Sequence, residues 1–367
     1  MAGITTNDVV VGFKKATTWG TEVAITSTGA MKVRLSQISV SGGAEEFLSR
    51  DIGFSKKPSS TVRGVENYTV TATADLTYGQ PWLAWLSSIM GTESTPTETT
   101  GGQADYLRNL DLADSTYGSA KVIFSLGWTI EDATGAKVIV LPSVKWNQFS
   151  FTADANGVGT VTFSGVCDRP VISGATTTYA NLVALSDPTG YEAAVLGGTN
   201  SYFRMNAQGG AGLTSGENKT IETYTIEINR PIRPQHALQG ASSAYILEPK
   251  EIDRIDGFVT VRLSEINASS TDILSLWRNK TAQKAELFFD GTQIGTGVNR
   301  SFKFQMPSLE ATPEFPAGHD VPNNNSLMTP TMRFRMLKAS AAPTGMTLVT
   351  DLLRIAVVDT RSTKWTA

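Results

Sequence analysis

The sequence predicts a mainly β protein of two related β-sandwich or β-barrel-like domains, each with one short α-helix and one long inter-strand loop. Three observations predict it. The chain has 367 residues, more than a single hydrophobic core usually organises. Period-two alternation of apolar and polar residues recurs along it, while helical periodicity is scarce. One order of elements (strand, long polar connection, strand, helix, hairpin strands) occurs twice, offset by roughly 190 residues, the size of a duplicated domain.

In the first half a strand at 33–40 leads into a polar connection that runs from Gly42 through Glu45, Glu46, Arg50, Asp51, Lys56 and Lys57 to Arg63. The next strand alternates Val70, Ala72, Ala74 and Leu76 with Thr71, Thr73 and Asp75, which gives one face to a core and one to water or a lumen. Pro81 at a first-turn position and Gly91 at the stop bracket a short amphipathic helix over 81–90, suited to cover one face of a sheet. Residues 92–103 are poor in apolar side chains and read as an exposed, mobile loop. The clearest hairpin spans 144–163 and turns at Asp154-Ala-Asn-Gly157. Its apolar parity changes between Trp146 and Phe149, so a β-bulge near Asn147 or Gln148 is needed to keep one apolar face.

The second half repeats the pattern. Tyr224, Ile226 and Ile228 alternate with Thr225, Glu227 and Asn229, and a polar connection follows from Arg230 and Arg233 past His236 to Asp253. Val259, Val261 and Leu263 mark the next strand, and 270–279 is a second short helix. Phe302, Phe304 and Met306, then Met332, Phe334 and Met336, mark hairpin strands around a Pro- and Asn-rich loop at 310–325. The weakly periodic, Gly/Thr-rich stretch 173–199 separates the halves, giving domains at 1–190 and 198–367.

Chemistry is sparse. A net charge of −3 with no basic stripe argues against a protein that grips nucleic acid through its phosphates. The single cysteine, Cys167, rules out an intrachain disulfide and a multi-cysteine metal cluster, and reads as a small buried hydrophobe. His236 and His319 both lie in Pro-rich contexts, with no nucleophile-elbow motif anywhere. The glycine clusters at 209–212 and 291–297 lack the Gly-Lys-Ser/Thr ending of a phosphate loop and read as turns. Trp82, Trp85, Trp128, Trp146 and Trp277 fall on expected helices and strands, where core packing is their role. No catalytic, cofactor-binding or metal site is expected. The opening residues lack a signal-peptide pattern and no apolar run reaches bilayer length, so a cytoplasmic origin and no membrane partner are expected.

The phrase Gly12-Phe-Lys-Lys-Ala-Thr-Thr-Trp-Gly-Thr21 before Val23-Ala24 resembles the N-terminal phrase of the tail tube (major tail) proteins of long-tailed bacteriophages. The run Tyr224-Thr-Ile-Glu-Ile-Asn-Arg-Pro231, then Gly240, then Ile255-Asp-Gly-Phe-Val-Thr-Val261, is similar to that family's strand–long loop–strand unit. The resemblance implies a structural virion protein that polymerises into stacked rings around a channel for DNA. For a duplicated member it implies trimeric rings with pseudo-sixfold symmetry, assembled in the host cytoplasm. Its implied partners are copies of itself, a tape-measure protein, a tail terminator and distal tail proteins, with DNA in transient, non-specific passage. On this reading Glu45, Glu46, Arg50, Asp51, Lys56, Lys57, Arg230, Arg233 and His236 belong to inter-ring stacking loops. Thr71, Thr73, Asp75, Thr225, Glu227 and Asn229 are candidate lumen-facing residues, their alternative being ordinary outward strand faces.

Two other readings fit a β-rich chain. A β-sandwich adhesin or carbohydrate-binding tail fibre module predicts an aromatic-lined groove and no self-stacking. A β-rich hydrolase needs two carboxylates that the fold brings together.

Overall fold

The computed structural model describes residues 9–48, 61–113, 122–132, 135–154, 157–173, 176–188, 192–193, 201–235, 247–263, 275–314 and 330–365. The first half runs β1 (Val11–Ala16), β2 (Ala30–Val33), β3 (Gln37–Leu48), β4 (Thr61–Asp75), β5 (Thr77–Tyr78) and α1 (Leu83–Met90). It continues with β6 (Gly91–Glu93), β7 (Thr97–Glu98), β8 (Tyr106–Leu112), β9 (Ile123–Asp132), β10 (Gly135–Asp154), β11 (Thr160–Cys167), β12 (Val171–Ser173) and α2 (Tyr179–Val183). β13 (Glu192–Ala193) leads to the second half: β14 (Tyr202–Ala207), β15 (Ile221–Asn229), β16 (Ile232–Gln235), β17 (Leu247–Glu251) and β18 (Asp256–Leu263). Residues 275–279 are helical, and β19 (Gln283–Gly295), β20 (Val298–Ala311), β21 (Thr331–Met336) and β22 (Arg354–Asp359) complete the chain. The protein is mainly β. No helix among the described residues is long and apolar enough to cross a membrane.

Pairing is antiparallel and joins the strands into one branched network of packed layers, apart from the two-stranded sheets β5–β13 and β16–β17. One layer runs β3-β4-β11-β10-β15-β18-β21-β20 and so crosses from the first half into the second. The other layer has two parts, β12-β10-β9-β1-β2 in the first half and β14-β19-β20-β22 in the second, which β8 of the first half extends. β10 and β20 are long enough to serve both layers. Each bends at a matching phrase, Leu141-Pro-Ser-Val144 and Met306-Pro-Ser-Leu309, where its ladder to β9 or β19 skips register. Proline has no amide to donate to the ladder, so the strand changes partners there. The β10–β11 ladder also shifts register between Trp146 and Gln148, the bulge that the parity change requires.

The core between the layers is aromatic. Trp85 packs against Trp146, with ring centroids 4.6 Å apart, and meets Phe163 edge-on at 5.6 Å. Phe151, Tyr224, Phe289 and Phe304 continue the cluster into the second half. α1 differs from the amphipathic helix expected. Every one of its residues is buried, because strands pack around it on all sides. Gly91, at φ 88°, stops it in the left-handed conformation.

Three connections differ from their sequence reading. Residues 42–48 and 61–63 are strand, since β3 and β4 stay paired from Gln37↔Thr73 to Leu48↔Thr61. Gly42 makes this possible: at φ +127°, an added Cβ would lie 2.0 Å from the Asn67 carbonyl oxygen. The expected loop 92–103 carries β6 and β7, both paired to β8. Within 173–199, Thr178 and Asn181 form a capping box that starts α2, a signal present in the sequence and unread. Gly291 and Gly295 sit in β19 at register shifts, with the turn confined to Thr296 and Gly297.

Candidate functional site

Alternation along the eight-stranded layer sends Val70, Ala72 and Ala74 on β4 and Tyr224, Ile226 and Ile228 on β15 into the core. Their neighbours therefore share the opposite face. Register places Thr71 beside Ser164, Thr73 beside Thr162 and Asp75 beside Thr160. Across β10, Thr152 stands opposite Thr225, Ser150 opposite Glu227 and Gln148 opposite Asn229. All six candidate lumen residues thus lie on one polar face of one continuous sheet. Hydroxyls link its strands, with Thr73–Thr162 at 3.2 Å, Thr152–Thr225 at 3.3 Å and Ser41–Thr69 at 2.8 Å.

The two ends of this face differ chemically. The segments 37–41, 69–75, 148–154 and 160–164 contain no Lys or Arg. Beyond β15 the face carries Arg262, Arg333 and Arg335, interleaved with Glu227 and Glu222. Arg333 lies 3.3 Å from Glu227, and its guanidinium sits 4.1 Å over the Phe258 ring, while Arg262 pairs with Glu222 at 3.0 Å. Most of the positive charge there is internally neutralised.

Two seams hold the halves together. β10 and β15 share seven residue pairs, Gln148↔Asn229 to Asp154↔Thr223. The bulge at Asn147 frees its carbonyl to accept from the Arg230 amide at 2.8 Å. Arg230 is fully buried rather than on a loop surface. Its guanidinium donates to the carbonyls of Ile89 (2.8 Å), Met90 (3.4 Å) and Ala113 (2.9 Å), and lies 3.6 Å from Glu251. The last carbonyls of α1 need donors, and a cation from the other half supplies them. That placement removes Arg230 from the stacking set.

The second seam joins β8 to β22 from Arg354↔Asp111 to Asp359↔Tyr106. Arg108, fully buried, lies 2.5 Å from Asp359 and 3.5 Å from Glu93, and donates to the carbonyls of Arg361 and Thr363. The Glu93 carboxylate also accepts from the Trp365 amide at 2.8 Å and the Ser87 hydroxyl at 3.0 Å. Burial raises the Asp359 carboxyl above its ordinary value, against the pull of Arg108. None of Glu93, Arg108 and Asp359 stands out in the sequence, because they meet only through the fold.

Of the other stacking candidates, Glu45 and Glu46 lie on β3 within the extended β3–β4 hairpin, and Arg233 is exposed on β16. Arg50, Asp51, Lys56, Lys57 and His236 lie outside the described residues, as does His319. The β16–β17 hairpin is anchored at its base by Lys145, whose Nζ donates to Glu248 (3.1 Å) and the Pro249 carbonyl (2.8 Å). Cys167 is buried, and burial beside Asp168 pushes its thiol up to about 12, the state of an inert core residue.

The chain matches the family model described as phage tail tube protein over residues 6–351. No curated protein matches it.

Proposed function

This chain belongs to the phage tail tube protein family, and from that premise we propose that its continuous polar sheet face lines the channel of a ring built from copies of the chain. It is a structural protein of the virion tail, which assembles with itself into a tube and associates with other tail proteins. The observation that carries the reading is the β10–β15 seam, which joins the sheets of the two halves edge to edge with all six polar candidates on one side.

The sheet has two ends, β3 at one and β20–β21 at the other. Among the described residues β3 pairs on one side only, with β4. An open edge is a template for another strand. Two halves already joined edge to edge make a ring of three chains a pseudo-sixfold object, with 1–190 and 198–367 as its alternating units. A hydroxyl-lined wall with neutralised arginines suits passage of DNA, since it offers phosphates few unpaired cations. The β3–β4 hairpin, with Glu45, Glu46, Arg50, Asp51, Lys56 and Lys57, and the β16–β17 hairpin, with Arg233 and His236, reach toward the next ring as stacking arms. The tape-measure, terminator and distal proteins meet the tube at its lumen and two ends. The role is structural, with no catalytic step.

Negative-stain electron microscopy of the purified protein tests the reading. Hollow rods with threefold-averaged rings are the expected result, and particles that stay monomeric under all assembly conditions would sink it. Shortening the hairpin at 42–63 should leave folded rings that no longer stack.

A further inference from the structure

The second half's outer layer ends on a strand that the first half supplies: β8 covers the edge of β22. The first half repeats the plan but stops at β12, which among the described residues pairs only with β10. The matching bends at Pro142-Ser143 and Pro307-Ser308 align the two layers residue by residue. Ile139 on β10 then corresponds to Phe304 on β20, and their cross-strand partners are Ile172 on β12 and Ile355 on β22.

Two isoleucines hold the same place in two copies of one plan, yet their surroundings differ. Ile355 is 0% exposed, with Leu110 of β8 opposite it, whereas Ile172 is 67% exposed. The next position behaves alike. Arg354 is gripped by the Asp111 carboxylate of β8 at 2.5 and 3.1 Å, while its counterpart Val171 is 41% exposed. Val171 and Ile172 point to opposite faces of the sheet, so among the described residues both faces at this edge are left exposed.

Direction settles which neighbour comes. Within the chain, the second half meets the first through two edges, β15 in one layer and β22 in the other. Their counterparts in the first half are β3 and β12. A copy that docks on β3 as the first half docks on β15 therefore brings its own second half beside β12. We propose that the β12 edge, with Val171 and Ile172, is a second contact between copies of this chain, buried when rings form; this rests on the ring reading above. The seam there is shorter than its counterpart within the chain. Only residues 280–282 separate the helical residues 275–279 from β19, leaving the second half without a β8-like insertion.

Hydrogen–deuterium exchange on the wild-type protein tests this directly. The β12 amides should exchange fast in unassembled chain and slowly in assembled tubes. Ile172→Asp should lose assembly while its unassembled thermal midpoint stays at the wild-type value, and Ile172→Val should restore tubes. Tubes whose β12 amides exchange as fast as in free chain would overturn the contact while leaving the ring reading intact. So would protection that arises only when another tail protein is added. If wild type forms no rings at all, both readings fall together.

Discussion

The two halves share one strand plan and differ in how they are closed. The second half is sealed by a strand, an ion cluster and a buried C-terminal tryptophan, all converging on β8 and β22. The first half ends on a short strand with an exposed isoleucine. The polar face of the eight-stranded layer shows the same contrast in chemistry, hydroxyls toward β3 and paired arginines toward β21. Two halves with corresponding strands need not be used symmetrically. In the proposed ring, the insertion that carries β6–β8 gives the joint inside the chain a strand that the joint between chains lacks.

The largest effect is expected from breaking the seal itself. Arg108→Ala leaves Glu93 and Asp359 buried without their cation and should cost about 3–5 kcal/mol in denaturant unfolding. The equivalent isoleucines give the sharpest contrast. Ile355→Ala should destabilise the unassembled chain by about 2–5 kcal/mol, whereas Ile172→Ala should stay within about 0.5 kcal/mol. Equal costs would contradict the unequal closure. Gly42→Ala forces a side chain into a left-handed position against Asn67 and should cost about 1–3 kcal/mol, read from the thermal midpoint. On the polar face, Thr152→Val and Thr225→Val remove a partly solvated hydroxyl pair, each costing under about 1.5 kcal/mol. A double-mutant cycle would isolate their coupling.

The smallest effect concerns pH. Burial raises Asp359 above its ordinary carboxylate value. Between the two values the folded state keeps a proton that the unfolded chain has lost, so this group's contribution to stability falls as pH rises through that window. Denaturation midpoints followed through the acid range should show that slope in wild type. Asp359→Asn should lose it.

Local rules made much of the fold legible. Alternation at 70–76, 224–229, 259–263 and 302–306 located β4, β15, β18 and β20, the parity break located the bulge at Asn147, and Gly91 located the end of α1. The six polar candidates were legible as strand faces, but their convergence on one surface was not, since register between strands far apart in sequence sets it. β8 went unread because its apolar positions lie beside a polar stretch, and Arg230 read as a loop charge because nothing local announces that it caps a helix 140 residues away.

By itself, then, the sequence determined that there are strands and how the alternating ones are sided, because backbone geometry and side-chain alternation act over a few residues. Only the tertiary structure decided that the two sheets are one, that β8 closes the far half, and that β12, among the described residues, pairs on one side only. Those outcomes depend on which distant edges meet and which buried charges find partners there, and a strand's own residues carry no record of either.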